Sequence, residues 1–234
     1  MHRYRATLAY DGAGYCGWQV QPDRRTVQGE IEQALARLAG APVKVHASGR
    51  TDQGVHAQGQ VVHFDLDRPA VPADLARGLN ALLPADVRCL CVRRAAAGFH
   101  ARRSAASKEY RYFIWNEDIM PPFLRLYRAH VRRPLDIEAM RRAAALLVGR
   151  HDFAAFAANP NRTVESTVRT LSALDVHRRG AEVVIVAKSD GFLYKMVRSL
   201  VGFLLRVGEG DLSAESARDI LASGRRTATV PTAP

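Results

Sequence analysis

The residues whose types and spacing can do chemistry are concentrated between 48 and 64, which read Ser-Gly-Arg-Thr-Asp-Gln-Gly-Val-His-Ala-Gln-Gly-Gln-Val-Val-His-Phe. One carboxylate, Asp52, stands between Arg50 and Gly54 in a stretch that must turn. A guanidinium two residues away favours the ionised form, and an ionised, oriented carboxylate can serve as a nucleophile or a base. Gly49 and Gly54 permit a tight turn and close approach of a ligand to the backbone. No second carboxylate lies nearby in sequence, so a carboxylate-pair hydrolase would depend on a distant partner. His56 and His63 are seven residues apart on the strand expected after the aspartate. On a regular strand they face opposite sides, which is unsuited to shared metal ligation, and no other Cys or His spacing reads as a metal site.

The elements that must hold this turn follow from periodicity. Tyr4, Ala6, Leu8 and Tyr10 alternate as one face of a strand, and a glycine-rich loop follows through Gly12, Gly14 and Gly17. Thr26 is positioned to cap a helix carrying Val27, Ile31, Leu35 and Leu38, stopped by Gly40 and Pro42. Strands are predicted over 43–47 and 55–64, a helix from Val71 through Leu82, and a strand over 87–94. The order strand, helix, strand, strand, helix, strand is that of a split βαβ unit. A second, looser version follows, with a strand at 110–115, a helix capped by Asp136, a hairpin of 167–176 and 182–188 around Arg179-Gly180, and a buried helix opened by Gly191. The boundary is expected near 105, giving halves 1–104 and 105–234 of an α+β protein, with a largely antiparallel sheet flanked by helices.

Composition narrows the partner. Of 234 residues, 47% are hydrophobic and 24% charged, which excludes disorder as the main state. Lys and Arg number 34 against 23 Asp and Glu, a net charge of +11, and all but four of the basic residues are arginine. Such a surface attracts polyanions, nucleic acid foremost, and arginine both forks onto phosphate and stacks on bases. The charge is densest between 93 and 150, where Arg93, Arg94, Arg102, Arg103 and Arg111 interleave with Phe99, Tyr110 and Trp115. That mixture suits a groove tracking a nucleic-acid backbone beside stacking platforms, with His56 adjacent to it. Three cysteines, Cys16, Cys89 and Cys91, read as reduced thiols of a cytoplasmic protein. The start lacks the apolar core of a signal peptide, and Lys195, Arg198 and Arg206 interrupt the most apolar later stretch, so no membrane span is expected.

The wording of the turn is more specific than its chemistry. Gly49-Arg50-Thr51-Asp52-x-Gly54-Val55-His56-Ala57 resembles the signature of the tRNA pseudouridine synthase A family. Four further blocks resemble the same family in order. They are Tyr10-Asp11-Gly12 with Tyr15-x-Gly17-Trp18-Gln19-x-Gln21 and Thr26-Val27-Gln28-x-Glu30; Phe99-His100-Ala101-Arg102 with Lys108-x-Tyr110-Arg111-Tyr112; Gly149-x-His151-Asp152-Phe153-x-x-Phe156; and Phe192-x-Tyr194-x-Met196-Val197-Arg198-x-x-x-Gly202.

The resemblance implies a pseudouridine synthase fold, two ferredoxin-like halves with a central cleft, acting on uridine in the anticodon stem-loop of transfer RNA near positions 38 to 40. It implies that Asp52 is the catalytic aspartate with Arg50 as its charged neighbour, that Tyr110 stacks on the target base, and that Arg198 holds Asp52 from the second half. It implies a homodimer that needs neither metal nor organic cofactor, and a further strand beyond Pro234 setting an apolar residue against the base. On the residues alone, a tRNA-binding module or RNA chaperone without chemistry stays open beside the isomerase.

Overall fold

The alternation at the N-terminus builds β1, His2–Tyr10, with Tyr4, Ala6, Leu8 and Tyr10 turned into a core. The computed structural model describes residues 1–158 and 165–234, which divide into two compact units, Met1–Ala105 and Ala106–Pro234. In the first unit β1 is followed by α1 (Val27–Ala39), β2 (His46–Ala47), β3 (Ala57–Leu66), α2 (Pro72–Leu82) and β4 (Val87–Arg94). Every strand pairing is antiparallel, in the order β2-β3-β1-β4, which is the split βαβ arrangement the sequence pattern predicts. The Thr26 hydroxyl accepts a hydrogen bond from the Gly29 N–H and caps α1, whose Val27, Ile31, Ala34 and Leu35 are buried. Leu75 and Leu79 of α2 meet the same core, together with Val62, Phe64, Val87 and Cys89.

Two boundaries differ from the sequence pattern, each for a local reason. Only His46–Ala47 of the expected strand over 43–47 pairs with β3. Side chains of α1 hold the preceding backbone instead: the Val45 N–H donates to Glu32 Oε1 at 3.0 Å, and Gln28 Nε2 donates to the Val45 carbonyl at 3.1 Å. Similarly β3 begins at Ala57 rather than Val55, because the Val55 N–H closes a turn onto the Asp52 carbonyl. His56 therefore precedes the strand instead of lying on it.

The second unit contains β5 (Lys108–Trp115), β6 (Ala129–His130), α3 (Ile137–Leu147), β7 (Gly149–Asp152), β8 (Val168–Arg179), β9 (Glu182–Ser189), α4 (Met196–Gly208) and α5 (Ser216–Ser223). Its sheet runs β6-β5-β9-β8-β7 and is antiparallel except for the short β5–β6 pair. The order β5-β9-β8 repeats that of β1-β3-β2. Beside β5, where the first unit sets β4 against β1, stands the two-residue β6. The Asp136 carboxylate accepts from the Ala139 N–H at 2.9 Å and caps α3 as expected. Gly191 does not open the next helix, which starts at Met196 after Lys195 in a left-handed conformation. The Ser189 hydroxyl accepts from the Gly191 N–H and the Asp190 carboxylate accepts from the Thr170 N–H, which holds an irregular segment between β9 and α4. Phe156, Leu200, Phe203 and Leu204 pack with Val183 and Ile185 as the core of this unit. Among the described residues no helix is long and apolar enough to cross a membrane.

Candidate active site

Residues 48–56 form a loop between β2 and β3 whose backbone is gripped from three sides. Gln60, at an inward-facing position of β3 and 8% exposed, donates from Nε2 to the Gly49 carbonyl at 2.6 Å and accepts from the Ser48 hydroxyl at 2.7 Å. The Tyr10 phenol, at the end of β1, shares a hydrogen bond of 2.8 Å with the Thr51 hydroxyl. The Trp18 N–H donates to the Thr51 carbonyl at 3.0 Å, with the Trp18 ring buried against the α1 core. The loop carrying Trp18 is joined in turn to the start of α1, since the Gln28 N–H donates to the Trp18 carbonyl. A fold that buries Tyr10, Trp18 and Val27 thus fixes the segment holding Asp52.

Two glycines are required by this arrangement. A Cβ on Gly12 would lie 2.1 Å from the Val55 carbonyl oxygen and 2.6 Å from its carbon, so only glycine lets the first loop pass against the turn. Gly54 has φ of 77°, the left-handed conformation that lets the chain reverse after Asp52. Gly49, grouped with it by sequence, adopts no such conformation. Asp52 itself is half-buried, while Arg50 is exposed and forms no ion pair with it among the described residues. His56 turns back to the first loop, its Nδ1 lying 2.9 Å from the Asp11 carboxylate and 3.1 Å from the Gly12 nitrogen.

The predicted basic residues of the first unit do not share one surface. Arg93 lies on β4 directly opposite Arg5 of β1, on the outer face of the sheet, where Arg5 in turn lies opposite His63 of β3. Arg94, one residue on, points to the other face. Arg102 and Arg103 sit on a turn after β4, where both backbone N–H groups donate to His100 Nδ1. That turn is built onto the sheet: Arg3 donates to the carbonyls of Ala97 and Phe99, and the Ala101 N–H donates to His63 Nδ1 at 3.2 Å. His63 is 3% exposed, stacked on His46 with ring centroids 4.8 Å apart and tilted by 55° to His100 at 4.7 Å. Burial, and then the neighbouring His46 and His100, push its pKa down to about 4. The Arg3 guanidinium beside Asp65 holds that carboxyl below its ordinary value.

In the second unit Tyr110 and Arg111 are consecutive on β5. The Tyr110 ring meets Phe192 edge to face at 5.2 Å, and Arg111 pairs with Glu109 at 2.9 Å. Arg198, in the first turn of α4, donates from Nε to the Ala233 carbonyl at 2.7 Å, while the Ala233 N–H donates to the Arg198 carbonyl. Arg226 strengthens the same staple, donating to the Ser199 hydroxyl at 2.6 Å and the Thr232 hydroxyl at 2.8 Å. Gln60 and Arg226 were not singled out by sequence. Gln60 carries a signal, a polar side chain in phase with buried Val62 and Phe64; Arg226 carries none. Tyr194, exposed at 41%, and Asp152, whose carboxylate accepts from the Ala154 N–H, complete the second-half motifs. The three thiols are free, and burial raises the Cys89 pKa to about 11. Among the described residues no group of three or more His, Cys, Asp and Glu is placed to hold a metal ion.

The motifs of the two units also locate the chain among known proteins. A family model described as tRNA pseudouridine synthase matches residues 6–102 and 143–234. The first stretch spans the gripped turn, and the second spans α4 with its staple. A tRNA pseudouridine synthase A of Brevibacillus brevis is 47% identical over 235 residues, covering 100% of this chain and 96% of its own length. One of Halalkalibacterium halodurans is 47% identical over 236 residues, covering 100% and 89%. One of a Methylobacterium species is 46% identical over 235 residues, covering 100% and 94%. With matches that run the length of both units and include the Asp52 turn, the chain belongs to the tRNA pseudouridine synthase family.

Proposed function

We propose that this protein isomerises uridine to pseudouridine in the anticodon stem-loop of transfer RNA, at positions 38 to 40, with Asp52 as its catalytic carboxylate. The observation that carries this reading is the turn itself: a half-buried aspartate, in the family's own signature, on a backbone fixed by Tyr10, Gln60 and Trp18. The reaction breaks the bond from C1′ to N1, rotates the uracil and joins C1′ to C5, releasing the C5 proton. One carboxylate suffices. It attacks C1′ as a nucleophile, or it takes a sugar proton so that a glycal forms, and both routes use the same oriented oxygen. Fixing the backbone on both sides of Asp52 sets that oxygen before substrate arrives, which is the main way a positioned group accelerates a reaction.

The target base must leave its stack first, at a cost of a few kcal/mol. Tyr110, its ring braced by Phe192, stacks on the extruded uracil and returns about 1 to 3 kcal/mol of that cost. Arg198, fixed by the carbonyl of Ala233, is the cation that the second unit contributes to the chemistry. Arg93, Arg102, Arg103 and Arg111 meet phosphates, and Arg94 and His56 are further candidates for contact with the RNA. The protein works as a cytoplasmic homodimer, and no step calls on a metal or organic cofactor.

The test is Asp52→Ala. It is expected to keep the far-UV spectrum and transfer RNA affinity of the parent and to lose tritium release from C5-labelled uridine in transfer RNA by at least about a thousandfold, in the range of a deleted nucleophile or base. Undiminished release would remove Asp52 from the chemistry. A parent protein that binds transfer RNA and releases no tritium would be a binding module.

A further inference from the structure

Arg226 is a half-buried guanidinium whose partners are neutral. It donates to the Ser199 hydroxyl at 2.6 Å and to the Thr232 hydroxyl at 2.8 Å, and it forms no ion pair among the described residues. Drawing a cation out of water with no carboxylate to meet it costs stability, and that same burial lowers its pKa. The two hydroxyls do not need it. Ser199 already donates to the Lys195 carbonyl at 3.1 Å, and the Thr232 side chain is only half-buried, so water can satisfy it. An apolar side chain of similar length would fill the same space without the desolvation cost, so stability does not explain the arginine.

What the guanidinium does is join two pieces of chain. Arg198, Gly202 and Arg206 recur every four residues on one face of α4, and the segment after Arg226 is laid along that face. Arg206 donates to the Ala228 carbonyl at 3.4 Å, a Cβ on Gly202 would collide with the Pro231 carbonyl, and Arg198 Nε donates to the Ala233 carbonyl at 2.7 Å. Arg226 spans from Ser199, next to Arg198, to Thr232, next to Ala233. It thus fixes the carbonyl that fixes Arg198. A guanidinium is a planar fork, so anchoring Nε sets the direction of both terminal nitrogens. We propose that Arg226 is a positioning residue for the isomerisation, setting the Arg198 guanidinium by tying Thr232 to the first turn of α4. The assignment rests on Arg198 being the cation that the second unit contributes to the chemistry.

Steady-state tritium release by the full chain tests it, with thermal unfolding measured in parallel. Arg226→Met should lower kcat by about tenfold to a hundredfold, as misplacement of a reacting group by up to about 1 Å does, while KM for transfer RNA and the unfolding temperature do not worsen. Arg226→Lys keeps the charge but cannot fork onto two hydroxyls, and should lose kcat to a similar degree. Thr232→Val removes one acceptor alone and should give a smaller loss in the same direction. Because Arg226 acts through Arg198, adding Arg226→Met to Arg198→Met should cost little beyond Arg198→Met by itself. Losses that multiply in the double variant, or full activity in Arg226→Lys, would overturn the positioning role. So would a lowered unfolding temperature in Arg226→Met and Thr232→Val with kcat per folded molecule unchanged, which would make the tie structural only. Undiminished kcat in Arg198→Met would remove the reading on which the assignment rests, whereas a loss there and none in Arg226→Met would overturn the assignment alone.

Discussion

A single aspartate is commonplace until the atoms around its backbone are counted, and at this site the neighbours are specific. The Asp52 turn cannot drift toward β1, because Gly12 packs against Val55 with no room for a methyl group, and it cannot drift away, because Gln60 and Tyr10 hold Gly49 and Thr51. Gly12→Ala must therefore move the Val55 backbone, three residues from the carboxylate. A displacement of about 1 Å at a catalytic group costs about a hundredfold in rate, so kcat should fall by roughly that factor while KM for transfer RNA stays near the parental value. Steady-state kinetics on the variant check this, and an unchanged kcat would show that the turn tolerates the shift. At this scale the sequence was informative about which residue carries the charge and silent about what holds it. The Asp52 block is contiguous and reads directly. Gln60, Tyr10 and Trp18 act on residues up to 41 positions away, and such contacts leave no local pattern.

At the scale of elements, periodicity found the strands and helices of eight or more residues except α5, because burial of one face imposes a period of 2 or 3.6 on the side chains. It erred where side chains took over backbone hydrogen bonds, at Val45 and between Ser189 and Lys195, and at Val55, where a backbone turn onto the Asp52 carbonyl replaces strand pairing. The histidine stack joining β2, β3 and the turn after β4 is such a case, for His63 is buried at an outward-facing strand position where a solvated residue would be expected. Its imidazole faces His46 from β2, Arg3 from β1, Asp65 from its own strand, and His100. Only Asp65 favours its protonation. With a pKa near 4 in the folded protein and about 6.5 when unfolded, His63 binds fewer protons in the native state throughout that window. Stability therefore rises with pH between 4 and 6.5 and is lost on acidification through the same range. The whole shift corresponds to about 3 kcal/mol. His63→Gln, which keeps an acceptor for the Ala101 N–H, should flatten urea-derived stability against pH between these limits. A slope equal to the parent's would place the acid sensitivity elsewhere.

The charge of the whole molecule, +11, acts over distances longer than any one contact. Like charges placed directly opposite on neighbouring strands destabilise a sheet, yet Arg5 and Arg93 occupy such positions on the outer face of the first unit. A polyphosphate lying across that face neutralises both. Replacing Arg93, Arg102 and Arg103 together by Glu should reduce the slope of log affinity for transfer RNA against log salt by about 2 to 3, near one phosphate contact each. Arg94→Glu, turned to the opposite face, should change it less. Fluorescence titrations at several salt concentrations distinguish these cases, and an unchanged slope in the triple variant would move the RNA surface off this sheet. The basic balance and the repeated strand order were both open to reading in advance. Which arginines share a face was not, since that depends on cross-strand register.

The central claim is that one carboxylate in a fixed turn converts uridine in the anticodon arm of transfer RNA. Its most direct test maps pseudouridines in unmodified transfer RNA after incubation with the parent protein and with Asp52→Asn, which keeps the size of the side chain and removes its charge. The account predicts new pseudouridine at positions 38 to 40 with the parent and none above background with the variant. Pseudouridine formed equally by both proteins, or by neither, would contradict it.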